Sequence, residues 1–270
     1  MPVIDLHSHT KYSDGTTSPD EVVRAYARAG VRMMAVTDHD TTDAVEEARQ
    51  KAVAAGMLFV DGIEISTREH DYLHILGYKI DIKSKTLNKF LEDNRAARFA
   101  RVRGIIGKLQ AAGVDITEED VFARVKTTPS RAHVADALKK KGIVSSRQEG
   151  FRKYLTEGKP GYVPSPGPSA AEVIGQIKLA GGYAFIAHPG VIKEAWDFPR
   201  WKTAGLDGLE LYYPSHSFEL RRELAAIAKK YGLLVSAGSD HHGEKSGRRN
   251  TPGMEVPQEV FDKLKEVLCG

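Results

Sequence analysis

A chain of 270 residues with 41% hydrophobic and 28% charged residues has ordinary globular composition, one large or two modest domains, which excludes disordered, collagen-like and coiled-coil classes. The single cysteine, Cys269, rules out an intrachain disulfide and any thiolate metal site. With no basic-then-apolar leader and no apolar run long enough for a membrane helix, a soluble, cytoplasmic protein is expected.

Seven short apolar stretches rich in β-branched residues predict strands at Val3–His9, Arg32–His39, Leu58–Ser66, Tyr72–Ile80, Tyr183–His188, Leu206–Tyr213 and Leu233–His242. Between most of them lie helical patterns with start and stop signals. Ser18-Pro19 is an N-cap followed by Pro at the first helical position, and Gly30 closes that helix. Thr41 or Thr42 is the expected cap of the next helix, which ends near Gly56. Ser169 opens a helix stopped at Gly181-Gly182, and Ser217 opens one running to Gly232. Strand, helix, glycine, strand is the pattern of parallel βα units, so the expected fold is an α/β barrel.

Residues 84–168 break that rhythm. They are helical by pattern, with Thr117 as a cap and Asp120 three residues on, and they end in a Pro/Gly/Ser-rich connection at 159–168. We read them as a helical insertion between the two parts, 1–83 and 169–270, of the barrel domain. The insertion is also basic. Net charge is only +3, but residues 95–165 carry 15 Lys/Arg against 7 Asp/Glu, leaving an acidic body. This distribution suits an anionic ligand, although a solvated Lys/Arg surface would show the same count.

Almost every predicted strand ends in a histidine or a carboxylate. Period two puts Asp5, His7 and His9 on one face, and likewise Asp240 and His242. Asp38 and His39 end the second strand, Glu64 lies near the end of the third, His74 is on the fourth, and His188 ends the fifth. In a parallel barrel the strand C-termini open onto one rim, so these scattered residues are expected to converge. Imidazole and carboxylate without thiolate suit manganese, zinc or iron(II). There are too many ligands for one tetrahedral ion. Two or three ions are expected, and close metal pairs at about 3.5–4 Å are the usual machinery for attack on phosphorus.

The segments DLHSHT, Asp14, TDHD, GIEIS, HILGY, AHPG and GSDHH occur in that order over residues 5–242 and resemble the motifs of the PHP (polymerase and histidinol phosphatase) family. The resemblance implies a distorted (β/α)7 barrel around a two- or three-metal centre. It implies His7, His9, Glu64 and Asp240 as ligands of a first metal, with Glu64 bridging to a second held by His74 and His188. Asp14, His39 and His242 correspond to a third site. Asp5 and Asp38 are read as acceptors that orient ligand imidazoles. His241, on the opposite face, is read as structural. Glu64 and Asp240 are thus also the residues on which catalysis is expected to depend.

For the substrate, Ser130-Arg131-Ala-His133 opens a helix in the basic insertion, a ready phosphate site, and resembles a sequence of nucleotide-acting PHP phosphoesterases. Lys159 and His216 also resemble residues of those enzymes. Arg131, His133, Lys159 and His216 are therefore the expected substrate contacts, with His216 a candidate proton donor to the leaving group. The resemblance implies removal of the 3′-phosphate from nucleoside 3′,5′-bisphosphates. The alternatives are 5′-3′ exonuclease action on short 5′-phosphorylated oligonucleotides, histidinol-phosphate hydrolysis, and a non-catalytic binding module. Arg248 or Arg249 in the Gly-rich segment 243–250 is a further candidate rim residue, or part of a solvated turn.

Overall fold

Side-chain caps decide where most of the helices begin. In the computed structural model, which describes residues 1–246 and 251–270, strand β1 (Val3–Asp5) leads to α1 (Pro19–Arg28). Ser18 and Glu21 close a reciprocal capping box at the start of α1. Strand β2 (Val31–Val36) then leads to α2 (Val45–Ala54), which departs from expectation. Its N-cap is Ala44 with no side-chain bond, because Thr41 Oγ1 instead accepts from Asp43 N in the preceding turn.

Strands β3 (Leu58–Ser66) and β4 (His74–Tyr78) form a hairpin. The seven residues between them leave no room for a crossover helix, so β4 runs antiparallel to β3, and also to β5. The all-parallel expectation is corrected here, with a useful consequence. His74 is the first residue of its strand rather than near its end, and reversal brings it opposite Ser66 at the C-terminal end of β3.

A run of helices follows between β4 and the next strand: α3 (Lys85–Ala111), α4 (Glu118–Phe122), α5 (Arg131–Lys140), α6 (Arg147–Gly150) and a π-helical turn over Phe151–Leu155. Thr117 and Asp120 box the start of α4, and Ser130 and His133 that of α5. Helix α3 is shared between two cores. Leu87 and Leu91 pack with barrel residues such as Ile75 and Ile177, whereas Val102, Ile105 and Leu109 pack with Val134, Leu138 and Leu155.

The barrel resumes with α7 (Ala170–Leu179), β5 (Tyr183–Ile186), α8 (Phe198–Thr203), β6 (Gly208–Tyr212), α9 (Phe218–Tyr231) and β7 (Leu234–Ala237). An eighth strand that sequence reading missed, β8 (Met254–Glu255), pairs antiparallel with β1 ahead of α10 (Gln258–Cys269). The strand order is β7-β6-β5-β4-β3-β2-β1-β8. The ring closes beyond the ends of β1 and β7, where Leu6 N donates to Ala237 O at 2.9 Å and Ser8 bridges His241. The fold is thus the distorted α/β barrel expected. Among the described residues no helix is long and apolar enough to cross a membrane.

Packing around β6 leaves no slack. A Cβ on Gly208 would lie 2.1 Å from the Phe185 ring, which is itself fully buried. Gly208→Ala should cost about 1–3 kcal/mol by overpacking. A urea melt of the variant should show the midpoint lowered; an unchanged midpoint would mean that Phe185 can move aside.

Candidate metal centre

Chain segments just past the strands, rather than the strands themselves, carry most of the centre. His7 and His9 lie beyond β1, and Asp240 and His242 lie beyond β7, so their shared orientation does not come from a regular period-two strand. It comes from the closure contacts and from left-handed backbone at Asp240 (φ 53°); Asp40 (φ 50°) and His188 (φ 31°), beyond β2 and β5, share that conformation. Such conformations persist in non-glycine residues only where surrounding structure over-determines them.

Glu64 is the hub. Its Oε2 lies 3.1 Å from His9 Nε2, 3.1 Å from His39 Nδ1 and 3.3 Å from His7 Nε2. Its Oε1 lies 2.8 Å from His74 Nδ1 and 3.1 Å from His188 Nε2. Asp240 Oδ1 approaches His9 Nε2 at 3.3 Å and His7 Nε2 at 3.5 Å, and Asp14 Oδ1 lies 3.2 Å from His242 Nε2. All nine residues singled out as ligands come together, in four overlapping groups: His9–Asp14–His39–His242, His7–His9–Asp240, His7–Glu64–His188 and His39–Glu64–His74.

These residues fit divalent ions. Ligands about 2.0–2.2 Å from an ion stand roughly 3.0–3.5 Å from one another, the spacing of most pairs here, whereas His39 Nε2 and Asp14 Oδ1 are 3.9 Å apart. Among the described residues, the buried atoms His7 Nε2, His9 Nε2, His39 Nδ1, Asp14 Oδ1 and Glu64 Oε2 approach one another but none has a hydrogen bond of good geometry, although buried polar atoms are ordinarily satisfied.

The opposite nitrogen of three rings is occupied, which sets the tautomer. His7 Nδ1 lies 3.2 Å from Glu210 Oε1, and His242 Nδ1 donates to Asp240 O at 2.8 Å. His9 Nδ1 lies 3.4 Å from Ser13 Oγ, which itself donates to Asp38 at 2.6 Å. Each ring therefore presents the Nε2 lone pair to the centre. Asp38 acts on His9 through Ser13 rather than directly. Asp5 is corrected further: it orients backbone, accepting from Ser239 N and Oγ and from Gly253 N. Sequence reading missed Glu210, which also accepts from His188 N at 2.8 Å. The available signal was one carboxylate between the two leucines of the apolar strand β6.

Burial tends to strip charge from these groups, and their neighbours restore it. Burial alone would lower His9, but the Asp240 and Glu64 carboxylates raise it to about 9. Glu64 would be raised by burial, yet the surrounding imidazoles, His39 foremost, hold it well below the usual carboxylate range.

Beside His39 and His74 is a small cavity of about 70 Å3, also lined by Asp14, Arg98, Arg101 and Arg131. Asp71 holds two of the guanidiniums, Arg101 Nη2 and Arg131 Nη1, each at 2.6 Å. Arg98 reaches Asp40 at 2.5 Å and Ser66 Oγ at 2.6 Å. Burial, with the neighbouring Arg131, lowers Arg101 to about 10, although Asp71 partly offsets it. Arg98 and Arg101 escaped sequence reading, though Arg95, Arg98 and Arg101 recur every three residues along one face of α3.

The other predicted substrate contacts fare differently. Arg131 reaches the cavity. His133 caps its own helix, Nδ1 accepting from Ser130 N at 3.1 Å. Lys159 is exposed on a turn and does not line the cavity. His216 is buried with both ring nitrogens engaged, Nδ1 donating to Leu211 O and Nε2 accepting from Gly190 N. Burial lowers it to about 4, so it is neutral near pH 7, and its expected role as phosphate contact or proton donor is withdrawn. His241 is buried beside the Tyr26 ring, away from the four ligand groups. Arg248 and Arg249 lie outside the described residues.

Residues 5–152 match the PHP domain. The chain belongs to the PHP family. Over 268 residues it is 37% identical to a 3′,5′-nucleoside bisphosphate phosphatase of Chromobacterium violaceum, covering 94% of this chain and 92% of that protein. It is 36% identical over 248 residues to a 5′-3′ exoribonuclease of Haemophilus influenzae, covering 88% and 89% of the two chains. A crystal structure from Bifidobacterium adolescentis, there assigned as a metal-dependent phosphoesterase, superposes with a TM-score of 0.89 at 33% identity over 98% of this chain and 95% of the other. This PHP protein is accordingly a metal-dependent phosphoric ester hydrolase.

Two measurements check the centre. Glu210→Gln should weaken metal affinity about 10- to 100-fold by loosening His7, read by competition with a chelating dye. The second concerns pH. The folded His9 pKa of about 9 exceeds its ordinary 6.5, so its contribution to the stability of chelator-treated protein is full below about pH 6.5 and lost as pH rises through 9. Metal requires the deprotonated ring, so the gain in Tm on adding metal should grow over that window. A gain independent of pH would contradict the assignment.

Proposed function

We propose that the protein removes the 3′-phosphate from nucleoside 3′,5′-bisphosphates, converting adenosine 3′,5′-bisphosphate to 5′-AMP and inorganic phosphate. The observation carrying this reading is the small cavity in which His39 and His74 stand with three guanidiniums. The likeness to a bisphosphate phosphatase over nearly the whole chain supplies the substrate class. Water attacks phosphorus, the bond to the ribose 3′-oxygen breaks, and that oxygen leaves with a proton.

In this reading His7, His9, Glu64 and Asp240 would hold one ion, and Glu64, His74 and His188 would hold a second. Asp14, His39 and His242 would hold a third, with His9 close beside them. Manganese is the expected metal; zinc and iron(II) accept the same donors. Such ions, when bound, supply the charge that activates water near neutral pH and offsets the phosphoryl oxygens.

The chain's own residues do the positioning. Glu210, Ser13 and the Asp240 carbonyl fix three imidazoles. Asp71 holds Arg101 and Arg131 where charge builds on the phosphoryl group, a placement worth most when made in advance of the reaction. Segment 84–168 acts as the basic cover of the rim and delivers all three arginines.

The test is phosphate release from adenosine 3′,5′-bisphosphate by manganese-loaded protein, with histidinol phosphate, 5′-AMP, 3′-AMP and a 5′-phosphorylated trinucleotide alongside, each with a chelated control. Chelator-sensitive release that favours the bisphosphate is expected. Preference for the trinucleotide or for histidinol phosphate would overturn the substrate assignment. Arg131→Ala should keep its metal and lose about 10- to 100-fold in kcat/KM. Kinetic silence of that variant on every active substrate would remove Arg131 from the site.

A further inference from the structure

The cavity beside His39 and His74 has room for a phosphoryl group but not for a nucleoside. A second and larger cleft, of about 530 Å3, shares Asp14 with it. This volume falls in the range of small-ligand sites, about 300–1,000 Å3. One wall is the loop after β1, with Lys11, Gly15 and Thr16; the other is built from α5 and the segments around it.

The cleft is held in shape. Arg147 is buried and grips Asp136 with two bonds, at 2.9 and 2.5 Å, while Nη1 reaches Asp14 O at 3.4 Å. The guanidinium thereby ties the insertion to the loop that carries Asp14. Gly15 lets that loop fold close, since a Cβ there would stand 2.4 Å from His9 O.

Its cations outnumber its two carboxylates, Asp14 and Asp136, the second of which is taken by Arg147. Arg124, Lys139 and Lys140 are exposed on the cleft, and among the described residues no carboxylate lies within ion-pair distance of them. The neighbouring Lys141 shows the contrast, paired with Asp115 at 3.1 Å and Asp120 at 3.2 Å. Lys139 and Lys140 also end α5, where positive charge favours the helix, so a structural effect has to be separated from a binding one. Cations around a concave surface raise the local concentration of anions.

We infer that this cleft takes the leaving nucleoside 5′-phosphate, with Arg124, Lys139 and Lys140 around its 5′-phosphate, and so sets the preference for substrates with two phosphates. The inference rests on the reading given under Proposed function. It adds a site for the part of the substrate that the small cavity leaves outside.

The test compares wild type with Lys139→Gln/Lys140→Gln and, separately, with Arg124→Gln. It measures kcat/KM for adenosine 3′,5′-bisphosphate and for 3′-AMP, and the inhibition constant of 5′-AMP against 3′-AMP turnover. In the variants the bisphosphate kcat/KM should fall about tenfold and the 5′-AMP inhibition constant should rise about tenfold, as loss of charge-assisted contacts predicts. Hydrolysis of 3′-AMP should stay unchanged, and the Tm should fall by no more than the small loss of helix-end charge. Retained discrimination with an unchanged inhibition constant, or an equal loss on both substrates, would overturn the inference. If wild type shows no preference for the bisphosphate, the functional reading fails instead. The inhibition constant then decides the cleft alone: a rise in the variants supports it, and no change removes it.

Discussion

Glu64 is a buried carboxylate whose two oxygens are approached by five imidazoles, from His7, His9, His39, His74 and His188. A charge this deep is costly unless cations compensate it, and neutral imidazoles alone do not. Protons or metal ions must therefore share the site, and much of the surrounding structure serves that requirement. The β1 and β7 extensions meet at the rim, β4 runs backwards to bring its first residue to the same end, and three residues accept left-handed backbone.

Around that hub the supporting residues divide the labour. Glu210 fixes the His7 ring and the His188 backbone together. Asp38 works at one remove, through Ser13. Asp5 secures the turn carrying Asp240 by binding the backbone beside it. The helices α3 to α6 contribute positive charge, and α3 anchors them because its first turns pack in the barrel core. Arginines on the same helix consequently reach the metal side of the rim without depending on a loop.

Residue chemistry was legible in the sequence because ligand types are few and their order along the chain is distinctive. All nine ligand candidates converge, and the caps at Ser18, Thr117, Ser130, Ser169 and Ser217 lie where the sequence places them. What escaped depends on distance in space. Nothing local distinguishes the antiparallel β4 from a parallel strand except the shortness of the turn before it. Glu210 and Arg98 act on partners remote in sequence. His216 was misread because a histidine after a strand looks the same whether it faces substrate or, as here, ties two backbone segments together.

The central claim is that one shared carboxylate organises the metal centre, and metal content tests it directly. Manganese bound per chain should be measured after gel filtration for wild type and for Glu64→Gln, with circular dichroism confirming the fold of each. The account predicts two or three ions in wild type and at most one in the variant, because the substitution removes the charge shared by two of the sites. A folded variant with its full complement of metal would contradict it.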